Sequence, residues 1–267
     1  MDDTITVMGV KIRRSPVSSV CERRCEYLKN GFCRKCTCTE CEGGFLIAEW
    51  REKELHGDHS HGPRECRCVE RARSRRRLRE AGLEALAARC SFESFRAEKP
   101  WQKAVKQKAE EYLAEAKKTG FFISGQSGCG KTHLCTAICN ALIEQGGRLR
   151  FFQWVRDGTR LKQLVTERDG GYDKEIAALI KTPYLYIDDL FKQELTAADV
   201  RLAYEILNGR YNAGRPTILS SERSLGYIRE ARDGEGAAIA GRIYEGCGRG
   251  KYYLNLSGEE KDQRFAG

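Results

Sequence analysis

The sequence lacks any long run of apolar residues. No stretch approaches the roughly 20 consecutive residues that a helix needs to span a bilayer, and charged residues make up 32% of the chain. The first printed residues, Met1-Asp2-Asp3, are acidic and no apolar core follows them, which argues against a secretory signal. Internal repeats and low-complexity tracts are also missing, apart from one arginine-rich run. These absences predict a cytoplasmic globular protein with no membrane partner.

The length of the chain and its net charge bear on the number of domains and on the kind of partner. The 267 residues carry 47 Lys and Arg against 38 Asp and Glu, a net charge of +9. That length suits one large domain or, preferably, one domain with a smaller module. The positive charge is compatible with a nucleic-acid partner without establishing one.

Cysteines are concentrated near the start of the chain. Eight of the 13 lie within the first 68 residues, in closely spaced pairs. Because nothing indicates secretion, these cysteines are expected to bind metal rather than to form disulfides. Two cysteines separated by one to three residues can place both thiolates on one tetrahedral ion, so the spacing predicts one or two structural zinc ions. The predicted ligands are Cys21, Cys25, Cys33 and Cys36 for one ion, and Cys38, Cys41, Cys66 and Cys68 for the other.

Several properties of this cysteine-rich module stay open. The ligand pairs could alternate or share a cysteine, and an iron–sulfur cluster or free thiols are the alternatives to zinc. His56, His59 and His61 could replace cysteines as ligands, although an exposed polar loop is the simpler interpretation. The eight arginines between Arg64 and Arg79 predict a basic helix. It could bind DNA backbone or an acidic protein surface, or it could simply be solvated.

The most informative stretch is Gly125-Gln126-Ser127-Gly128-Cys129-Gly130-Lys131-Thr132, which fits the phosphate-loop pattern of G, four residues, G-K-[ST]. Glycines let backbone N–H groups surround a phosphate, Lys131 can reach the β- and γ-phosphates, and the Thr132 hydroxyl can ligate Mg²⁺. An apolar strand precedes the motif and a helix-periodic segment follows it, as a phosphate loop requires. The predicted nucleotide-binding residues are Gly125, Gln126, Ser127, Gly128, Cys129, Gly130, Lys131, Thr132 and His133.

A second ATP motif lies about 60 residues further on. Residues 184–189 form an apolar strand that ends in Asp188 and Asp189, and parallel sheets place strand ends beside the phosphate loop. We predict that Asp188 holds Mg²⁺, directly or through water, and that Asp189 orients and polarises the attacking water. Residues 216–221 form a further strand that ends in hydroxyls, and Ser221 is predicted to sense the γ-phosphate.

Alternating strands and helices predict an α/β fold with a parallel sheet flanked by helices. Strands are expected near residues 120–124, 148–152, 184–189 and 216–221. Helices are expected from Pro100, after the phosphate loop and over residues 195–212. We divide the chain into a cysteine-rich zinc module (1–70), a basic helical linker (71–100) and an ATPase domain (101–267).

With these residues in place, the chain resembles the AAA+ helicase-loader family, the DnaC/DnaI-like replication proteins, especially the forms found in Gram-positive bacteria and their phages. The resemblance covers nearly the whole chain and implies an AAA+ P-loop NTPase. Ser220-Ser221-Glu222 fits the tip of the family's sensor strand, although many relatives end it in Asn. The other matching segments are Cys66-Arg67-Cys68, Phe92-Glu93-Ser94-Phe95, Thr132-His133-Leu134, Ile187-Asp188-Asp189-Leu190-Phe191-Lys192 and Asn208-Gly209-Arg210-Tyr211.

The resemblance also assigns roles to two arginines. The segment Ala238-Ile239-Ala240-Gly241-Arg242-Ile243-Tyr244 looks like the family's arginine-finger segment, although relatives often have Ser in place of Gly241. Arg242 would then reach the ATP of a neighbouring subunit. Arg264 would correspond to a second nucleotide-sensing arginine. For both residues, a surface salt bridge is the alternative interpretation.

The function implied by the resemblance is ATP-dependent loading of a DnaB-type hexameric helicase onto single-stranded DNA, with the zinc module binding the helicase. ATP hydrolysis should be slow until DNA, or self-association through the ATP site, stimulates it. Arg156, Arg160 and Lys162 are candidates for DNA backbone contact. The alternatives are an IstB-like transposase-helper ATPase, whose relatives generally lack the cysteine-rich start, a small-molecule P-loop kinase, and a zinc-dependent nucleic-acid-binding module with a decayed ATPase.

Overall fold

The computed structural model describes residues 4–7, 10–13, 28–29, 32–33, 45–46, 64–65, 67–167, 170–193 and 195–258, with side-chain detail from residue 71 onward. Contacts along the chain divide it into two units, Met1–Arg77 and Leu78–Gly267. Among the described residues, no helix is both long enough and apolar enough to cross a membrane.

The first unit contains three short antiparallel strand pairs. Strands β1 (Thr4–Val7) and β2 (Val10–Arg13) pair with each other, as do β3 (Leu28–Lys29) with β4 (Phe32–Cys33) and β5 (Phe45–Leu46) with β6 (Arg64–Glu65). Helix α1 (Arg67–Ala81) begins in this unit and continues into the second. The basic helix predicted from the arginine-rich run is therefore confirmed, whereas none of the three strand pairs was predicted.

A five-stranded sheet forms the centre of the second unit. Its strands are β7 (Phe121–Gly125), β8 (Leu149–Gln153), β9 (Tyr184–Asp188), β10 (Thr217–Ser221) and β11 (Tyr253–Leu256). They lie in the order β11-β7-β10-β9-β8, and every neighbouring pair is parallel. The predicted α/β fold with a parallel sheet is confirmed, although the sequence reading missed β11.

Helices connect successive strands of the sheet, as parallel pairing demands, and two further helices precede β7. They are α2 (Glu84–Ala87), α3 (Pro100–Glu115), α4 (Lys131–Glu144), α5 (Trp154–Glu167), α6 (Gly171–Lys181), α7 (Ala197–Asn212), α8 (Leu225–Glu230) and α9 (Ala237–Gly246). Local chemistry sets several of their starts. Pro100 occupies the first turn of α3, where its missing N–H costs nothing. Ser224 accepts a hydrogen bond from the Tyr227 N–H and caps α8.

The register of the sheet brings the predicted site residues together at the carboxyl ends of the strands. Strands β7 and β9 are buried along their whole length, which agrees with their continuous apolar sequences. Ser221 at the end of β10 pairs with Ser124 near the end of β7, and Gln153 pairs with Asp188. The carboxyl ends of the strands therefore lie together, and the loops that follow them can form one site.

Arg210 of α7 joins the backbone at the end of α6 to the backbone just before β10. Its guanidinium is fully buried and donates to the carbonyl oxygens of Leu179 and Pro216 at 2.6 Å each and of Thr182 at 2.9 Å. Burial, and secondarily the charge of Arg215, lower the pKa of Arg210 to about 9. In the described part of the chain no carboxylate pairs with it, so backbone carbonyls solvate this cation.

Candidate nucleotide-binding site

The phosphate loop connects β7 to α4 through glycines that no other residue could replace without strain. Gly128 and Gly130 have φ values of +84° and +90°, in the left-handed region that favours glycine. A Cβ atom on Gly125 would lie 2.5 Å from the carbonyl oxygen of Leu256 on the neighbouring strand. The loop is thus closely packed at its start and turns sharply at its end, where α4 begins at Lys131.

Lys131 lies inside this loop. Its side chain is 5% exposed, and Nζ donates to the carbonyl oxygens of Gly125 and Gln126 at 2.8 Å each. The backbone thereby holds the ammonium group at the start of α4, where the helix dipole also favours an anion.

Three hydroxyl groups converge on Asp188 at the end of β9. Its Oδ1 accepts from Thr132 Oγ1 at 3.0 Å, from the Tyr186 hydroxyl at 2.6 Å and from Ser220 Oγ. Burial raises the pKa of the Tyr186 phenol well above its usual range, and the nearby Cys135 and Asp188 add to that effect. Tyr186 therefore stays a hydrogen-bond donor, and the structure brings the predicted pair Thr132 and Asp188 together.

Asp189 turns away from the strand with φ of +56°. Its N–H donates to Ser220 Oγ at 3.0 Å, and its carboxylate accepts from Lys192 Nζ at 2.5 Å. The same hydrogen bond raises the pKa of Lys192. Asp189 is therefore an ion-paired carboxylate at the edge of the site.

The two serines at the end of β10 make different contacts. Ser221 Oγ donates to the Leu190 carbonyl oxygen at 2.6 Å and accepts from the Arg223 N–H at 2.9 Å. Ser220, in contrast, bridges Asp188 and the Asp189 backbone. Successive side chains of a strand point to opposite faces, so only Ser220 faces the carboxylates, and Ser221 supports the loop that follows β9.

A cavity of about 300 Å³ lies over the phosphate loop. Sequence reasoning did not assign Lys192 or Glu222 to the site, although each lies within three residues of a strand end predicted to face it. The lining residues are Ser127, Gly128, Gly130, Lys131, Thr132, His133, Asp189, Lys192 and Glu222.

A second recess lies beside the loop, next to His133. The His133 Nε2 atom is 3.0 Å from the Ser91 carbonyl oxygen and 3.2 Å from Ser94 Oγ, and its ring meets Phe95 edge-on at 5.4 Å. The recess is lined by Ser94, Phe95, Arg96, Gly130 and His133. The segment before α3 thus forms an aromatic and polar wall against the phosphate loop.

Arg242 lies near the amino-terminal ends of the strands, at the end of the sheet opposite to the phosphate loop. It lines a cavity with Gly120 and Pro216, which directly precede β7 and β10. Its Nε donates to Asn208 Oδ1 at 2.9 Å, and its guanidinium lies over the Tyr211 ring at 4.6 Å. A strand of five residues is about 17 Å long, so Arg242 is separated from its own phosphate loop by the length of the sheet.

The predicted DNA-contact residues of α5 differ in their availability. Arg156 donates to Asp157 at 2.7 and 2.9 Å, and Lys162 donates to Asp199 at 2.8 Å. Arg160 is exposed. Two of the three cations therefore already pair with carboxylates of the same chain.

The predicted metal ligands of the first unit lie outside the residues whose side chains the structure describes, as do His56, His59, His61 and Arg264. Among the described side chains, no group of three or more His, Cys, Asp or Glu could hold a metal ion. Five cysteines of the second unit are free thiols, namely Cys90, Cys129, Cys135, Cys139 and Cys247.

The oxygen atoms around Thr132 fit a magnesium ion. Thr132 Oγ1 and the buried Asp188 carboxylate lie 3.0 Å apart at the mouth of the loop, and hard oxygen ligands of this kind suit Mg²⁺ that also binds substrate phosphates. Lys131 supplies the positive charge on the other side. The site can therefore accept a metal-bound nucleotide phosphate.

The fold and the site together define a P-loop nucleotide-binding protein, with β10 inserted between the strand of the phosphate loop and the strand of the carboxylates. The chain belongs to the family described as IstB-like ATP binding protein, whose model matches residues 63–240.

Curated relatives agree with this assignment. The chain is 30% identical over 219 residues to the phage-like element PBSX protein XkdC of Bacillus subtilis, covering 76% of this chain and 78% of that protein. It is 30% identical over 154 residues to the replicative helicase loader DnaC of Escherichia coli K12. That match covers 56% of this chain and 62% of DnaC, so the chain spans about three fifths of the length of this relative.

Solved structures share the fold. The crystal structure of DnaI superposes with a TM-score of 0.54 at 21% identity, over 65% of this chain and 93% of that one. The resemblance to the DnaC/DnaI-like loader family is thus confirmed.

Proposed function

We propose that this protein is an ATP-dependent loader of a hexameric replicative helicase. The observation that carries the proposal is the assembled ATP site, because Lys131, Thr132 and Asp188 meet at one sheet edge in a chain similar to DnaC, a replicative helicase loader. ATP binding would favour one assembly state and hydrolysis would favour another, a switch that acts through differential contacts.

Within this site, the phosphate loop and Lys131 bind the β- and γ-phosphates. Thr132 and Asp188 would hold Mg²⁺, which neutralises phosphate charge when bound. Tyr186 and Ser220 orient the Asp188 carboxylate through their hydroxyl groups. The recess lined by Phe95 and His133 would accept the base, since an aromatic wall can stack on it.

Hydrolysis would depend on self-association. Arg242 lies at the sheet edge opposite its own phosphate loop, so it can only reach the ATP of another subunit. A head-to-tail arrangement would place that edge against the phosphate loop of a neighbour. An arginine supplied in trans stabilises charge on the transferring phosphoryl group, and isolated subunits should therefore turn over slowly.

The cysteine-rich segment would be a zinc module that binds the helicase. The spacing of its eight cysteines supports zinc, and a small segment with few large apolar residues needs such an ion to fold. Single-stranded DNA would contact basic residues of the ATPase unit, with Arg160 the most available cation of α5.

A transposase-helper ATPase is the second candidate function, favoured by the match to the IstB-like family.

Size-exclusion chromatography with light scattering distinguishes helicase loading from the transposase-helper function. The full chain would be mixed with a DnaB-type helicase, with ATP and without. We expect a complex whose stability depends on nucleotide, and metal analysis of the same sample should find one or two zinc ions per chain. The double variant Cys66→Ser, Cys68→Ser should lose zinc and helicase together. No complex in any nucleotide state would refute loading and favour the transposase helper.

A further inference from the structure

Side chains of two helices surround the guanidinium of Arg242. Its Nε atom donates to Asn208 Oδ1 of α7 at 2.9 Å, and the group lies 4.6 Å from the centre of the Tyr211 ring. The Tyr211 hydroxyl donates to Glu245 Oε2 at 2.6 Å, and this oxygen lies 3.8 Å from Arg242 Nη1. We call Asn208, Tyr211 and Glu245 the arginine clamp.

Helix geometry explains why these side chains meet. Asn208 and Tyr211 are three residues apart on α7, and Arg242 and Glu245 are three residues apart on α9. Residues at this spacing share one face of a helix, and α7 and α9 contact each other. Each helix therefore presents a pair of side chains to the other.

Helix α7 is itself fixed at this point by the two residues inside the segment 208–211. A Cβ atom on Gly209 would lie 2.5 Å from Ile180 Cδ1 of α6, so the two helices pack closely here. Arg210 is fully buried and donates to the carbonyl oxygens of Leu179 and Pro216. The backbone that carries the arginine clamp thus has little freedom to shift.

The clamp holds one side of the guanidinium and leaves the other available. Among the described residues, Arg242 Nη2 makes no hydrogen bond, and 35% of the side chain is exposed. An arginine that is free in solution loses rotamer freedom when it binds a phosphate. A clamped arginine has already lost that freedom, so it can meet an anion without this additional cost.

We propose that Asn208 and Tyr211 are positioning residues, which hold the Arg242 guanidinium in the orientation that reaches the ATP of a neighbouring subunit. Glu245 orients the Tyr211 ring through its hydroxyl group. The inference rests on the proposed function, because it takes Arg242 as the arginine supplied in trans. The alternative is that these contacts only attach α9 to α7.

The first test measures phosphate release and ATP affinity for Asn208→Ala, Tyr211→Ala and Tyr211→Phe in the full chain. We expect both alanine variants to lower kcat by about 10- to 100-fold, since a displacement of about 1 Å can cost about 100-fold. Affinity for a fluorescent ATP analogue should not change, because the phosphate loop of the same chain lies at the other end of the sheet. Tyr211→Phe keeps the ring beside the cation and should retain at least about a third of the wild-type kcat.

Tyr204 provides the matched control. It lies on the same helix and is 41% exposed, against 39% for Tyr211. Tyr204→Ala should match the wild type in kcat and in ATP affinity. If Asn208→Ala and Tyr211→Ala both stay within about threefold of a hydrolysing wild type, the positioning role is excluded.

Mixtures of variants separate positioning from a structural role. A Lys131→Ala chain lacks the phosphate ligand and can only donate its arginine, whereas an Arg242→Ala chain can only receive one. Tyr211→Ala placed in the donor should lower the rate recovered by this mixture by about 10-fold or more. The same substitution placed in the receiver should leave the recovered rate unchanged. A purely structural role would lower recovery in both placements, because α7 and α9 pack against each other in either chain.

The outcomes distinguish this inference from the proposed function. Equal recovery in the two placements, or an equal loss, overturns the positioning role alone. If the mixture without Tyr211→Ala recovers nothing while the wild type hydrolyses ATP, the arginine in trans and the positioning role both fail. A wild type that neither binds nor hydrolyses ATP overturns the proposed function. Asn208→Ala in the same two placements repeats the test with a second member of the clamp.

Discussion

Ser220 and Ser221 are adjacent residues whose hydroxyl groups serve different neighbours. Ser220 bridges Asp188 and the Asp189 N–H, whereas Ser221 supports the carbonyl of Leu190. We expect Ser220→Ala to lower kcat about 10-fold or more, since a tenfold loss needs only 1.4 kcal/mol of transition-state stabilisation. Ser221→Ala should lower the free energy of unfolding by about 1–3 kcal/mol with little change in kcat. Phosphate-release assays and urea unfolding of both variants check this, and the reverse pattern would make Ser221 the sensor.

Arg210 is a buried cation whose loss should affect stability rather than chemistry. Arg210→Met would leave the carbonyl oxygens of Leu179, Thr182 and Pro216 without their donor. We expect the free energy of unfolding to fall by about 3–5 kcal/mol, because each buried acceptor left without a donor costs about 1–3 kcal/mol. The exposed neighbour Arg215 is the control, and Arg215→Met should change stability by no more than about 0.5 kcal/mol. Urea unfolding at pH 7 measures both, and equal effects would contradict a special role for Arg210.

At the scale of an element, the start of α7 depends on a charged cap. Asp199 N–H donates to Thr196 Oγ1 at 3.2 Å, the Asp199 carboxylate accepts from the Thr196 N–H at 3.2 Å, and Lys162 of α5 donates to it at 2.8 Å. Burial alone would raise the pKa of Asp199, but the hydrogen bonds from Lys162 and Thr196 outweigh burial and hold it below its ordinary value.

This depressed pKa predicts a pH-dependent contribution to stability. A carboxylate with a lowered folded pKa stabilises the protein above its unfolded pKa of about 3.9 and loses that contribution as the pH falls through the folded pKa. Asp199→Asn should therefore cost about 1 kcal/mol at pH 7 and progressively less below pH ~4. Thermal unfolding from pH 3 to pH 7 measures the difference, and a constant difference over that range would exclude the charged cap.

At the scale of the whole molecule, the positions of Lys131 and Arg242 at opposite sheet edges predict complementation between subunits. Lys131→Ala removes the phosphate ligand and Arg242→Ala removes the finger, so each variant alone should hydrolyse ATP slowly. An equal mixture should recover about a quarter of the wild-type rate, because one interface in four then combines an intact loop with an intact finger. Phosphate release at increasing protein concentration measures this recovery. A mixture as inactive as its components would contradict a finger in trans.

An element could be predicted from the sequence where the interactions that form it are local in the chain. The strands β7, β8, β9 and β10 and the helices α3, α4 and α7 could be predicted because each has its own apolar period or start signal. Strand β11 could not, since Tyr253–Leu256 is short and only partly buried. The helices α5 and α6 were also not predicted. Lys192 and Glu222 line one cavity because two strands that are far apart in the chain end side by side, and the sequence pattern near either residue does not show which side chains that brings together.

The sequence by itself determined the phosphate loop, the carboxylates at the end of β9 and the parallel α/β class, because glycine conformation, strand burial and helix starts are local properties. Only the tertiary structure decided that Ser220 rather than Ser221 faces Asp188, that Asp189 is ion-paired, and that Arg242 lies away from its own ATP site. Those outcomes depend on strand register and on packing between elements, where residues distant in sequence compete for the same partner.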